Sequence, residues 1–182
     1  AAARSRITLE NVPVGELESF LEVYRKMGGQ YEGKSGTLRI NGERVCSPVP
    51  LVETGIYPGF PTDLQAPLMA VLAGIQGVSR IREKIFDDRF GSALQMRKMG
   101  AHIEITGNTA VICGTDTLKG CTTEAGDLRG GAALIIAALG AKGETCIRGT
   151  EFISRGYEHI CEDLEALGCR IWQSSGKGNE RI

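Results

Sequence analysis

A chain of 182 residues is long enough for one domain with a substantial core and too short for two comfortable ones. Its net charge of -1, with 24% charged residues, gives no electrostatic reason to expect nucleic acid or an anionic membrane as a partner. The longest apolar run, Ala132 to Leu139, is far short of bilayer length, and no basic and apolar leader opens the chain, so the expected location is cytoplasmic.

In chain order, Ala1-Ala2-Ala3-Arg4 leads without an initiator methionine into a strand at Ser5-Arg6-Ile7. Apolar residues at three- and four-residue spacing predict an amphipathic helix over residues 14–27, followed by a strand pair, 30–31 with 37–40. Residues 64–75 read as a helix apolar nearly all round, which wants burial on every side. Thr62 and Gln65 have the spacing of a capping box at its start, and Pro67 is expected to distort its first turns. A strand at Ser79-Arg80-Ile81, an amphipathic helix over 90–99 and a strand pair, 102–105 with 110–113, come next. A second all-apolar helix covers 128–139 and a third amphipathic helix 155–167. Trp172 is expected to pack against one face of a strand, and residues 174–182 form a solvated tail after a single domain of residues 1–173.

One phrase recurs three times: Lys26-Met27-Gly28-Gly29, Lys98-Met99-Gly100-Ala101 and Ala166-Leu167-Gly168-Cys169, the shared glycines lying 72 and 68 residues apart. Each glycine follows the last turn of an amphipathic helix, where a left-handed cap ends it. The repeating unit is a buried helix, a strand, an amphipathic helix, a strand pair and a loop. Three amphipathic helices stand against two buried ones, so the domain is expected to be incomplete at its N-terminal end. An apolar surface left open there would favour self-association.

The repeat also aligns polar residues. Asp63 and Asp127 each open a buried helix, 64 residues apart; Arg89 and Arg155 each precede an amphipathic helix, 66 residues apart; Arg129 adds a third cation. A carboxylate at a helix N-terminus is ordinarily explained by the macrodipole, and an arginine by a surface salt bridge, here to Asp87 or Glu158. Parallel buried helices, however, would bring both aspartates to one end of the domain with the arginine turns beside them. Arginine forks bind carboxylate and phosphate, a carboxylate facing a hydroxyl serves as base, and helix N-termini add donors. The deduction is a surface handling a phosphorylated or carboxylated small molecule. No strict phosphate loop occurs. Six scattered cysteines (Cys46, Cys113, Cys121, Cys146, Cys161, Cys169) and two histidines form no close ligand pairs, so no metal site is expected. Most of those thiols are expected to be buried, and His102 and His159 to be structural or surface residues.

Several segments resemble the UDP-N-acetylglucosamine 1-carboxyvinyltransferases: Tyr57-Pro58-Gly59-Phe60-Pro61-Thr62-Asp63-Leu64-Gln65, Ile85-Phe86-Asp87-Asp88-Arg89-Phe90, Met99-Gly100-Ala101-His102, Asp127-Leu128-Arg129 and Ser154-Arg155-Gly156-Tyr157-Glu158. The resemblance runs in order from about Ile7 to Ile171. It implies an α/β fold, one inside-out α/β barrel of repeated units out of two such domains, with the active site in the cleft between them. It further implies transfer of enolpyruvyl from phosphoenolpyruvate to the 3-hydroxyl of UDP-N-acetylglucosamine, the opening step of bacterial peptidoglycan synthesis, by addition and elimination without metal or organic cofactor. Carried over by motif, Asp63 is the candidate base at that hydroxyl, the backbone around Ile85 binds the nucleotide sugar, Arg89 and Arg155 face the phosphoenolpyruvate anion, and Asp127 and Arg129 support the closed cleft. Asp87-Asp88 departs from the family's usual Glu-Asn. The family's acid loop, usually built around a cysteine, has no counterpart here, and Cys46 in Arg-Val-Cys-Ser-Pro does not match it; the chain alone is expected to be inactive. The alternatives are one half of a 5-enolpyruvylshikimate-3-phosphate synthase-like enzyme and a non-catalytic ligand-binding domain of the same fold.

Overall fold

A computed structural model describes residues 1–173. Its centre is made by two apolar helices, α2 (Gln65–Ala73) and α4 (Leu128–Gly140), which pack on each other more extensively than any other pair of helices. Small residues make that approach possible: Ala70, Ala73, Ala133 and Ala137 are all at most 2% exposed. Both helices therefore bury almost their whole surface, as sequences without a polar face require. A single turn of 3-10 helix, Thr62–Leu64, leads into α2.

Three sheets surround this pair. The first joins β1 (Arg6–Leu9), β3 (Thr37–Asn41) and β2 (Gln30–Lys34) in that order, all antiparallel. The second orders β4 (Val52–Glu53), β5 (Gly77–Arg82), β7 (Thr109–Gly114) and β6 (His102–Thr106). Its β5, β7 and β6 repeat the antiparallel pattern of β1, β3 and β2, with β4 added in parallel to β5. The third is the parallel pair β8 (Thr122–Glu124) and β9 (Cys146–Arg148). Each buried helix is thus the crossover between two parallel strands, β4 to β5 through α2 and β8 to β9 through α4. Helices at the centre with sheets around them make the inside-out α/β barrel that the family resemblance implied.

The amphipathic helices are α1 (Glu18–Lys26, entered through a 3-10 turn at Val14–Leu17), α3 (Ser92–Lys98) and α6 (Ile160–Ala166), with a short α5 (Thr150–Ile153) before the last. The glycines that follow α1, α3 and α6 have φ of +92°, +90° and +92°, a left-handed conformation that only glycine adopts without strain. Three separate helices ended by one geometry make the repeat a structural fact.

Several expectations are corrected. The last amphipathic helix does not run from residue 155: Arg155 lies in a turn, and α6 begins only at Ile160, five residues later. The capping box does not form: Thr62 lies inside the 3-10 turn, whose N-cap is Pro61 with no side-chain cap bond, and its hydroxyl donates to Glu83 Oε2 (2.8 Å). Pro67 leaves α2 unbroken, since it sits in the first turn, where an N–H has no intrahelical acceptor to lose. None of the six cysteines is fully buried; Cys113, for example, falls on the outward row of β7, opposite Val78 and His102. Trp172 is 47% exposed and belongs to no strand. The expected tail, residues 174–182, lies outside the described residues.

Candidate active site

Because α2 and α4 run parallel, their N-termini emerge together, and the polar residues that open them meet. Arg129, in the first turn of α4, donates from Nε to Asp63 Oδ1 at 2.5 Å. Arg89, in the turn before α3, brings Nη1 to 3.9 Å of the same oxygen. The Asp63 side chain is 64% exposed between these two cations and so remains open to a ligand. Asp127 caps α4, accepting from the Gly130 N–H at Oδ1 (2.8 Å). Asp127, Arg129, Arg89, Asp87, Asp88 and Gln65 line one cleft.

Arg89 is held in an unusual way. Its guanidinium carbon lies 4.2 Å over the Phe86 ring, and its Nη1 is buried without a hydrogen-bond partner. The ring face steadies the cation while leaving a donor unused, and an unpaired buried N–H of this kind is costly until something accepts from it. The Ser92 hydroxyl and Gln65 Nε2, both buried without a partner, line the same cleft. Three unsatisfied polar groups beside two arginines and a helix N-terminus suit an oxygen-rich anion.

Ile85 lies in the loop after β5, where its N–H donates to Glu83 Oε1 at 2.8 Å. That amide is taken, so the Ile85 carbonyl is the backbone group left to a ligand. The next residue, Phe86, is an exposed apolar side chain at 49%, and the loop before Asp63 exposes two more, Ile56 at 84% and Tyr57 at 72%.

Of the six residues singled out from sequence, Arg89, Asp127 and Arg129 line this cleft, and Asp63 is joined to both arginines beside it. Arg155 does not join them. It is exposed, stacks over Phe152 (5.6 Å to the ring centroid), and forms no ion pair with Asp63 or Asp127 among the described residues. Its turn lies against the start of α4, where a Cβ on Gly156 would meet the Leu128 side chain. Sequence reasoning passed over Gln65 and Ser92, which line the cleft, and Glu83, which is buried and bonded to the Ile85 loop. Glu83 had a visible signal: it extends the inward row of Ser79 and Ile81 on β5, where a carboxylate has no place without partners. Burial raises its pKa, but hydrogen bonds from Thr54, Ile85, Thr62 and Phe86 outweigh that and hold the carboxyl below the usual carboxylate range. Among the described residues no group of three His, Cys, Asp or Glu side chains is set to hold a metal ion, and no helix is long and apolar enough to cross a membrane.

Helices inside with sheets outside is an arrangement that this chain shares with solved enolpyruvyl transferases. The enolpyruvyl transferase NikO from Streptomyces tendae superposes with a TM-score of 0.79 at 26% identity, over 92% of this chain and 41% of that one. EPSP synthase from Acinetobacter baumannii shares the fold at a TM-score of 0.72 and 21% identity. The family model described as EPSP synthase (3-phosphoshikimate 1-carboxyvinyltransferase) matches residues 1–164, and the chain belongs to that family. Its curated relatives include a UDP-N-acetylglucosamine 1-carboxyvinyltransferase of Desulfofundulus thermocisternus, 40% identical over 174 residues, and UDP-N-acetylglucosamine 1-carboxyvinyltransferase 2 of Clostridium tetani, 40% identical over 173. The chain spans 71% of the first relative's length and 41% of the second's.

Proposed function

We propose that this chain forms one wall of the substrate cleft of an enzyme that transfers enolpyruvyl from phosphoenolpyruvate to the 3-hydroxyl of UDP-N-acetylglucosamine, in bacterial cell-wall synthesis in the cytoplasm. The observation that carries the reading is Asp63, an exposed carboxylate set between Arg89 and Arg129 at the N-termini of α2 and α4. The 40% identity to carboxyvinyltransferases named for UDP-N-acetylglucosamine supports that acceptor over shikimate 3-phosphate.

In this mechanism Asp63 accepts the hydroxyl proton as the acceptor oxygen attacks C2 of phosphoenolpyruvate, while C3 takes a proton from an acid on the opposite wall of the cleft. The tetrahedral adduct then loses phosphate and a C3 proton to restore the enol ether. Arg89, with its unsatisfied Nη1, takes an anionic oxygen of phosphoenolpyruvate. Arg155 adds a second cation, and that role requires its turn to swing toward the cleft. Asp127 keeps the first turn of α4 in place, and Arg129 orients the Asp63 carboxylate through its Nε–H. The Ile85 carbonyl contacts the nucleotide sugar.

Near-attack geometry needs both walls of the cleft. The 182-residue chain alone is therefore expected to turn over no substrate, and measurable release of phosphate from phosphoenolpyruvate and UDP-N-acetylglucosamine would overturn that. The test of the wall itself is amide NMR during titration with UDP-N-acetylglucosamine. Shifts clustered at Asp63, Ile85 and Phe86 that are lost in Asp63→Ala are expected. The same shifts produced by shikimate 3-phosphate, and not by the nucleotide sugar, would move the chain to the other acceptor.

A further inference from the structure

Glu83 is 1% exposed, and its carboxylate gathers donors from three separate stretches of chain. Oε1 accepts from the Thr54 hydroxyl (2.7 Å), the Ile85 N–H (2.8 Å) and the Phe86 N–H (3.2 Å), while Oε2 accepts from the Thr62 hydroxyl (2.8 Å). Thr54 in turn accepts the Lys84 N–H at 2.8 Å, and the Glu83 N–H is fixed to the Asn108 carbonyl at 2.8 Å. Thr62 immediately precedes Asp63. One carboxylate thus ties the segment that carries the acid to the loop that carries Ile85.

We propose that Glu83 is a positioning residue that sets the spacing between the Asp63 carboxylate and the Ile85–Phe86 backbone, a role that rests on reading those two segments as the nucleotide-sugar contacts. The position calls for a side chain rich in acceptor oxygens, and a carboxylate supplies the most. Its two oxygens carry enough lone pairs for four donors, whereas a hydroxyl or an apolar side chain would leave most of them unpaired. Burial of an acid is costly, and hydrogen bonds to charged groups are the strong ones that offset it.

The experiment compares the 182-residue chain with its Glu83→Ala and Glu83→Gln variants by amide hydrogen exchange without ligand, then by titration with UDP-N-acetylglucosamine. In Glu83→Ala the Ile85 and Phe86 amides are expected to exchange about tenfold faster or more, because each loses a charge-assisted bond. Ile81 and Ile112 in the core of β5 and β7 should keep their protection. Affinity for the nucleotide sugar should fall by a similar factor, and Glu83→Gln, which retains an acceptor oxygen, should recover most of both effects. Unchanged exchange at Ile85 and Phe86, or an equal loss of protection throughout β5 and β7, would overturn the proposal. The exchange arm stands apart from the substrate: a wild-type chain that ignores UDP-N-acetylglucosamine while its exchange follows the expected pattern refutes the substrate reading and leaves the clasp established. Should Glu83→Ala fail to fold, Thr62→Val removes the Oε2 bond alone. It is then expected to speed exchange at Leu64, whose N–H bonds to the Pro61 carbonyl, while Ile85 stays protected; no change at Leu64 would refute the link between the segments.

Discussion

Arg89 and Glu83 illustrate opposite treatments of a buried charge. Arg89 keeps one donor unused and so stays ready for an anion, whereas Glu83 has every oxygen engaged. The second arrangement has a consequence for acid stability. With a folded-state pKa below its ordinary value of 4.5, Glu83 contributes stability that is complete above that value. The contribution is lost as pH falls through the depressed folded value, because protonation then removes an acceptor that the folded state needs. Thermal melts from pH 6 to pH 3 should therefore show a steeper decline for the wild type than for Glu83→Gln below about pH 4.5. Parallel curves would mean that the four hydrogen bonds do not favour the ionised form. Part of this residue-scale detail was legible. Asp63, Arg89, Asp127 and Arg129 could be picked out because the repeat places like residues at like positions. Arg155 was aligned by the same logic, yet it lies five residues before α6 where Arg89 lies three before α3, and it forms no ion pair with Asp63 among the described residues.

At the scale of elements, the fold depends on how closely α2 approaches its neighbours. Gly114, at the end of β7, is the tightest of these contacts: a Cβ there would overlap the carbonyl oxygens of Ile75 and Leu72, both backbone atoms that cannot rotate away. Gly114→Ala is expected to destabilise the chain by about 1–3 kcal/mol, the usual cost of overpacking, read as a fall in the urea midpoint. Gly36→Ala makes a useful contrast, since nothing lies within 4 Å of its Cβ position and only the cost of its positive φ is expected. Period and punctuation located the helices and strand pairs well. They misjudged the capping box, because the helical turn starts one residue earlier and places Thr62 inside it, with its hydroxyl donated to Glu83, a partner that no local spacing could reveal.

For the whole molecule, the units can be compared with one another. In the second sheet, Ile81 and Ala110 face α2 and are fully buried. In the first sheet, Ile7 and Ile40 are paired in the same manner and are only half-buried, with Tyr31 beside them 41% exposed and Leu9 37% exposed. An apolar row of this kind favours association with a second copy. Sedimentation velocity at rising concentration is expected to show a growing dimer, reduced by Tyr31→Glu; a single monomeric boundary at every concentration would exclude it.

The sequence by itself determined the repeat, the helices and their left-handed glycine ends, and the choice of Asp63 with Arg89, Asp127 and Arg129, because hydrophobic period and turn chemistry are local properties that survive in a string of letters. Only the tertiary structure decided that Arg129 bonds Asp63, that Arg155 stands apart, and that Glu83 joins the two halves of the cleft wall. Those outcomes depend on the parallel packing of α2 against α4 and on distances between strands far apart in the chain, which no spacing along the sequence encodes.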